Sequence, residues 1–160
     1  MRAAILTIST TVANGTSEDE SGSELAELAD AAGAEIVARE ALPDDRRAIE
    51  HALRKHAEDA DLIFTTGGTG LTPDDVTPEA TKAVIERDAP GFAEALRVEA
   101  LKHTPLAPLS RGVSGITGRT LIINLPGNPK AIRELFPVIA PTLEHAVATL
   151  TRDGGRTTGH

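Results

Sequence analysis

Short apolar runs alternate along this chain with stretches of helical periodicity, and that alternation leaves few folds open. Ala3 to Ser9 is an apolar run ending in hydroxyl residues, and it reads as a strand buried on both faces. Leu62 to Thr66 and Thr120 to Leu125 read the same way, while Ala34 to Leu42 alternates like a strand. Between them, Leu25, Leu28, Ala29 and Ala32 share one helical face that Gly33 brings to a stop, and Ser21 and Glu24 have capping-box spacing at its start. Asp44 or Asp45 can cap a second helix carrying Ile49, Ala52, Leu53 and His56. Thr77-Pro78-Glu79 reads as a cap followed by proline at the first helical position, with Val84 and Ile85 facing inward. Helical spacing resumes at Phe92, Ala95, Leu96 and Glu99. Strands that alternate with helices in this way predict an α/β fold, a mostly parallel sheet with helices on both faces.

The remaining segments fit around that frame. Thr10 to Gly22 is a polar loop, Pro105 and Pro108 make His103 to Pro108 a connection, and Ser110 to Arg119 reads as strand and turn. A helix is predicted from Lys130 to about Phe136, and a closing helix from Val138 to Leu150. Residues 1–150 are expected to form one domain, the usual outcome at this length, and 151–160 a polar, disordered tail. With 2% aromatic residues, the core has to be aliphatic.

Charge and cysteine content narrow the function. The absence of cysteine excludes a disulfide framework and a thiolate metal site and points to the cytoplasm. Met1 to Ser9 is too short and wrongly flanked for a signal peptide, and no segment has the length of a membrane span. A formal charge of -8 argues against a nucleic-acid binder, which needs a basic face. A phosphate ligand remains open if its charge is met locally by backbone N–H groups, a few cations or a metal ion. The five histidines lack metal-ligand spacing and read as surface or helix-end residues.

In open α/β sheets, ligands bind beyond the carboxyl ends of the strands. Four loops qualify: Ser9 to Gly22, Pro43 to Asp45, Gly67 to Asp75, and Pro126 to Pro129. Thr66-Gly67-Gly68-Thr69-Gly70, placed directly after a buried strand, lets backbone amides approach an anion, although a flexible turn is the alternative reading. Asp44 with Asp45, and Asp74 with Asp75, follow neighbouring strands; one carboxylate from each pair could hold magnesium against phosphate oxygens, or each could cap a helix or turn. Asn124-Leu125-Pro126-Gly127-Asn128-Pro129-Lys130 sets a glycine turn and a cation at a helix start, where an anion could be met. The guanidinium of Arg111, beside Ser110 and Gly112, could grip a phosphate or simply lie in solvent.

Together with Asp75-Val76-Thr77-Pro78-Glu79-Ala80, Asp19-Glu20-Ser21-Gly22, Leu42-Pro43-Asp44 and Ser110-Arg111-Gly112, these motifs resemble the MogA/MoaB family of molybdopterin adenylyltransferases, across nearly the whole chain before the tail. The resemblance implies a three-layer α/β sandwich, trimeric or hexameric, that works in molybdenum cofactor biosynthesis. It would transfer AMP from ATP to molybdopterin, with magnesium present, and could meet other enzymes of that route. It implies that Asp44 and Asp75 are the catalytic and magnesium-binding acids. It implies that Ser21, Gly22, Thr66, Gly67, Gly68, Thr69, Gly70, Ser110, Asn124, Pro126, Gly127 and Lys130 line the substrate and nucleotide site. Two positions depart from the pattern: Thr10 stands where the family commonly has Asp, and Asp74 where a basic residue is frequent. Alternative readings are a non-catalytic molybdopterin-binding paralogue or scaffold, and a related nucleotide-hydrolysing domain.

Overall fold

In the computed structural model, which describes residues 1–152, six strands form one mixed sheet. In chain order the elements are β1 (Arg2–Ile8), α1 (Thr10–Ala13), α2 (Glu20–Ala31), β2 (Glu35–Leu42), α3 (Arg46–Ala57), β3 (Leu62–Thr66), α4 (Thr77–Val84), β4 (Arg87–Asp88), α5 (Gly91–Ala100), a 3₁₀ turn at Ala107–Leu109, β5 (Ser114–Thr117), β6 (Thr120–Leu125) and α6 (Pro129–Leu150). The order across the sheet is β2-β1-β3-β6-β5-β4. The first four strands in that order are parallel, β5 pairs antiparallel with β6, and β4 pairs antiparallel with β5. Register brings Leu42 beside Ile8, Thr66 beside Thr7, and Leu125 beside Thr66, so the four parallel strands end at one rim.

The strand alternation divides the core in two. Ala3, Ile5, Leu62, Phe64, Leu121 and Ile123 face α2, α5 and α6 on one side. Ala4, Leu6, Ile8, Ile63 and Ile122 face α3 and α4 on the other, which makes the three-layer sandwich. Phe64 meets Phe136 edge to face with ring centroids 5.5 Å apart, a geometry worth about 0.5–1.5 kcal/mol beyond simple burial.

Several local expectations are corrected. The polar loop after β1 contains the short helix α1, capped by Ser9. The N-cap of α2 is Asp19, not Ser21: its carboxylate accepts from the Gly22 amide at 3.0 Å and from the Thr7 hydroxyl at 2.9 Å, so a buried partner on β1 fixes the helix start. Asp45 caps α3, leaving Asp44 for another role. Thr77 is not a cap, because its hydroxyl reaches back to the Gly67 carbonyl at 3.0 Å. The two predicted C-terminal helices are a single helix, α6, that runs through Pro137 and Pro141. Both prolines are exposed and four residues apart, so the carbonyls they leave unbonded face water, while Ile132, Phe136, Ile139, Leu143 and Val147 form an unbroken buried stripe. Of the expected tail, Thr151 closes α6 and 153–160 lie outside the described residues. Among the described residues no helix is long and apolar enough to cross a membrane.

Candidate active site

β3 ends at Thr66, and the chain then turns through Gly67 (φ 97°) and Gly68 (φ 66°), in the left-handed region that glycine enters without strain. A side chain at Gly67 would also collide with the carbonyl of Ile8. The carbonyls of the loop are all drawn toward the protein. Gly67 accepts from the Thr77 hydroxyl, Gly68 from the Thr77 amide at 3.1 Å, Thr69 from the Arg111 amide at 2.8 Å, and Gly70 from Arg111 Nε at 2.8 Å. The N–H groups of Gly68, Thr69 and Gly70, by contrast, donate to no acceptor among the described residues. A row of peptides with carbonyls tied inward and amides free presents the positive ends of its dipoles to a ligand, as an anion cradle requires.

Arg111 holds this arrangement. Besides Gly70, its guanidinium donates to the Asp75 carbonyl at 2.8 Å and to both carboxylate oxygens of Glu79 at 2.9 and 3.0 Å. The guanidinium is therefore a brace for the loop and not the phosphate fork that its motif suggested.

The two candidate acids are held alike, each by a threonine. Asp75 Oδ2 accepts from the Thr72 amide at 3.0 Å and the Thr72 hydroxyl at 2.9 Å, and lies 2.8 Å from where a Gly70 side chain would begin. Asp44 Oδ2 accepts from the Thr10 amide at 3.3 Å and the Thr10 hydroxyl at 3.1 Å, while the Asp44 amide donates back to that hydroxyl at 3.0 Å. The departure at Thr10 thus supplies a clasp for Asp44 where a carboxylate would repel it. Oδ1 of each acid makes no hydrogen bond among the described residues. No cluster of three or more metal-ligating side chains occurs among those residues, so an all-protein metal cage is absent there. Each carboxylate thus keeps one oxygen open to a ligand.

Two cavities open at the same rim. The smaller, about 170 Å³, is polar and lies among the loops after β1, β3 and β6; Thr7, Ser9, Thr11, Ser21, Gly67 and Gly127 are among its walls, with Thr66 beside them. The larger, about 350 Å³, lies between α5 and α6 over the end of β6, and Ser110, Asn124, Pro126 and Lys130 line it. Pro126 and Gly127, adjacent in the chain, thus face different cavities, and the Thr66 hydroxyl ties the Pro126 carbonyl to the glycine loop at 2.7 Å.

Other expected residues serve the frame. Gly22 is buried in the first turn of α2. Asn124 is 3% exposed, with its amide nitrogen donating to Thr65 and Thr81 and its oxygen accepting from the Val113 amide, so it acts mainly as a strut between β3, α4 and the residue before β5. The Lys130 and Ala131 amides are capped by Asn128 Oδ1 at 2.8 and 3.4 Å, so the start of α6 has fewer amides to offer than its motif suggested. The Lys130 side chain is 77% exposed and stands 3.8 Å from Glu134.

The sequence reading missed Thr7 and Thr11 in the smaller cavity and Arg97, His103 and Glu134 in the larger. Only Glu134 carried a signal, its four-residue spacing from Lys130 on one helix face. Beside it, a hydrogen bond from Lys102, helped by one from His103, holds the Glu99 carboxyl below the ordinary glutamate range against the opposing effect of desolvation.

Comparison with known proteins gives the chain a family. Residues 4–145 match the model of a family described as a probable molybdopterin binding domain. The molybdenum cofactor synthesis protein cinnamon of Drosophila melanogaster is 42% identical over 152 residues, which cover 93% of this chain and 25% of that protein. A molybdopterin adenylyltransferase of Helicobacter pylori is 46% identical over 110 residues, 68% of this chain and 62% of that one. The chain thus spans less than two thirds of the length of either relative. The crystal structure of the molybdopterin biosynthesis enzyme MoaB from Thermus thermophilus superposes with a TM-score of 0.87 at 44% identity, covering 94% of this chain and 96% of the other. With the match running from β1 into α6, the chain belongs to the probable molybdopterin binding domain family.

Proposed function

We propose that this protein transfers the adenylyl group of ATP to the terminal phosphate of molybdopterin in molybdenum cofactor biosynthesis. A phosphate oxygen of molybdopterin attacks the α-phosphorus of ATP, the bond to the β-phosphate breaks, and pyrophosphate leaves with the electron pair. The observation that carries this reading is the row of acceptor-free amides at Gly68, Thr69 and Gly70, next to the Asp75 carboxylate. In an acidic protein, such a row can hold phosphate oxygens and disperse charge that develops in transfer, a reaction governed mainly by positioning and electrostatics.

Asp44 and Asp75 would hold magnesium, which neutralises phosphate charge when bound. The protein's own contribution is to keep those carboxylates in place through Thr10 and Thr72, and to fix the loop through Arg111. Thr66, Gly67, Ser21 and Gly127 shape the smaller cavity, and Gly22 supports it from the first turn of α2. Ser110, Pro126 and Lys130 contribute to the larger one, with Asn124 beneath them. The protein acts in the cytoplasm as a homo-trimer or hexamer; exposed Leu71, Val98, Leu101, Leu106 and Leu109 offer apolar surface for assembly.

The test is incubation with ATP, magnesium and molybdopterin, followed by mass spectrometry. Adenylyl-molybdopterin and pyrophosphate are expected. Binding without pyrophosphate release would leave a carrier or scaffold, and AMP released in the absence of molybdopterin would indicate a hydrolase.

A further inference from the structure

Glu134 differs from the glutamates of closest exposure among the described residues. Glu24, Glu50 and Glu99, with side chains 19–22% exposed, pair with Arg133, Arg46 and Lys102 at 2.8–3.0 Å. The Glu134 side chain is 24% exposed, yet its nearest basic side chains stand off, with His103 Nδ1 at 3.6 Å and Lys130 Nζ at 3.8 Å. It makes no hydrogen bond among the described residues. Both of its oxygens are left as acceptors on the wall of the larger cavity, whose sides are formed in part by Ala93, Leu96 and Leu135. A half-buried carboxylate without a donor is costly in isolation, and a ligand that brings two donors would relieve it.

We infer that the Glu134 carboxylate recognises the amino-pyrimidinone edge of a pterin bound in the larger cavity. That edge presents an N3–H and a 2-amino N–H side by side, the donor pair that matches two carboxylate oxygens. Adenine offers one amino donor beside the lone pair of N1, which a carboxylate oxygen repels. The edge chemistry therefore assigns the flat pterin to the apolar-walled cavity and leaves the free amides of the glycine loop to phosphates. Lys130, at ion-pair but not hydrogen-bond distance, offsets the Glu134 charge, and neither it nor His103 occupies an acceptor of that carboxylate. Glu134 is thereby a specificity residue for one substrate, an assignment that rests on the transfer reading above.

The experiment is calorimetric titration of the full chain with pterin and with lumazine, which carries a carbonyl in place of the 2-amino group. The wild-type protein should bind pterin about ten- to a hundredfold more tightly, the weight of a hydrogen bond to a charged group. Glu134→Gln places one donor beside one acceptor and matches lumazine, so the preference should vanish or reverse. In turnover, the same variant should raise the KM for molybdopterin and change kcat little, a split that a merely structural role would not produce. No measurable pterin binding, equal wild-type affinity for the two rings, or a pterin preference that survives in Glu134→Gln would each overturn the inference. A pterin preference without pyrophosphate release would uphold the edge assignment and sink the transfer reading; turnover without the preference would do the reverse.

Discussion

The two acid-bearing loops solve one problem with different amounts of support. Asp75 and Asp44 each rest one carboxylate oxygen on a threonine amide and hydroxyl. Behind Asp75, however, stands Arg111, which bonds the loop at Gly70 and Asp75 and is itself anchored by Glu79. Behind Asp44 there is the Thr10 clasp and the neighbouring cap of α3. One loop is cross-braced by a long-range cation, and the other depends on the amide and hydroxyl of one threonine thirty-four residues away in sequence. Equivalent chemistry can thus be held with unequal tolerance to mutation.

The largest effects should come from the acids themselves. Asp75→Asn and, independently, Asp44→Asn are each expected to cut kcat by about a hundredfold or more while ATP binding, measured by titration, persists. Wild-type rates in both variants would remove these residues from the mechanism. Arg111→Ala should break the asymmetry by unbracing the glycine loop, lowering stability by about 1.5–3 kcal/mol in chemical denaturation. Thr10→Val should lower kcat by about tenfold with the melting temperature little changed, and Thr10→Ser should restore it. If Thr10→Val is silent, the clasp does not position Asp44. The smallest effect is expected from Asp45→Ala, which removes a helix cap and should cost about 1 kcal/mol of stability, with less loss of activity than Thr10→Val.

The contrast also marks how far a sequence can be read. β1, β3 and β6 were legible because both their faces are buried and their apolar runs are unbroken, and the loops after them carried recognisable glycine and aspartate patterns. What escaped depended on partners remote in sequence. Asp19 outcompetes Ser21 as a cap because Thr7 waits on the neighbouring strand. Arg111 looked like a phosphate ligand until Glu79 and the loop carbonyls claimed it. α6 continues through two prolines because its buried face never changes, and β4, with two residues, is too short to leave a pattern. Glu134 gave no warning that its basic neighbours would stand apart.

The step from Pro126 to Gly127 has a kinetic consequence for the proposed reaction. Guests held in the two adjoining cavities would have their reacting ends meet beside that peptide, so neither has to be carried to the other. Once joined, however, the new molecule is moored at both ends, and its departure must wait until both moorings loosen. Release of the finished conjugate, rather than bond making, is therefore the step expected to limit such a reaction.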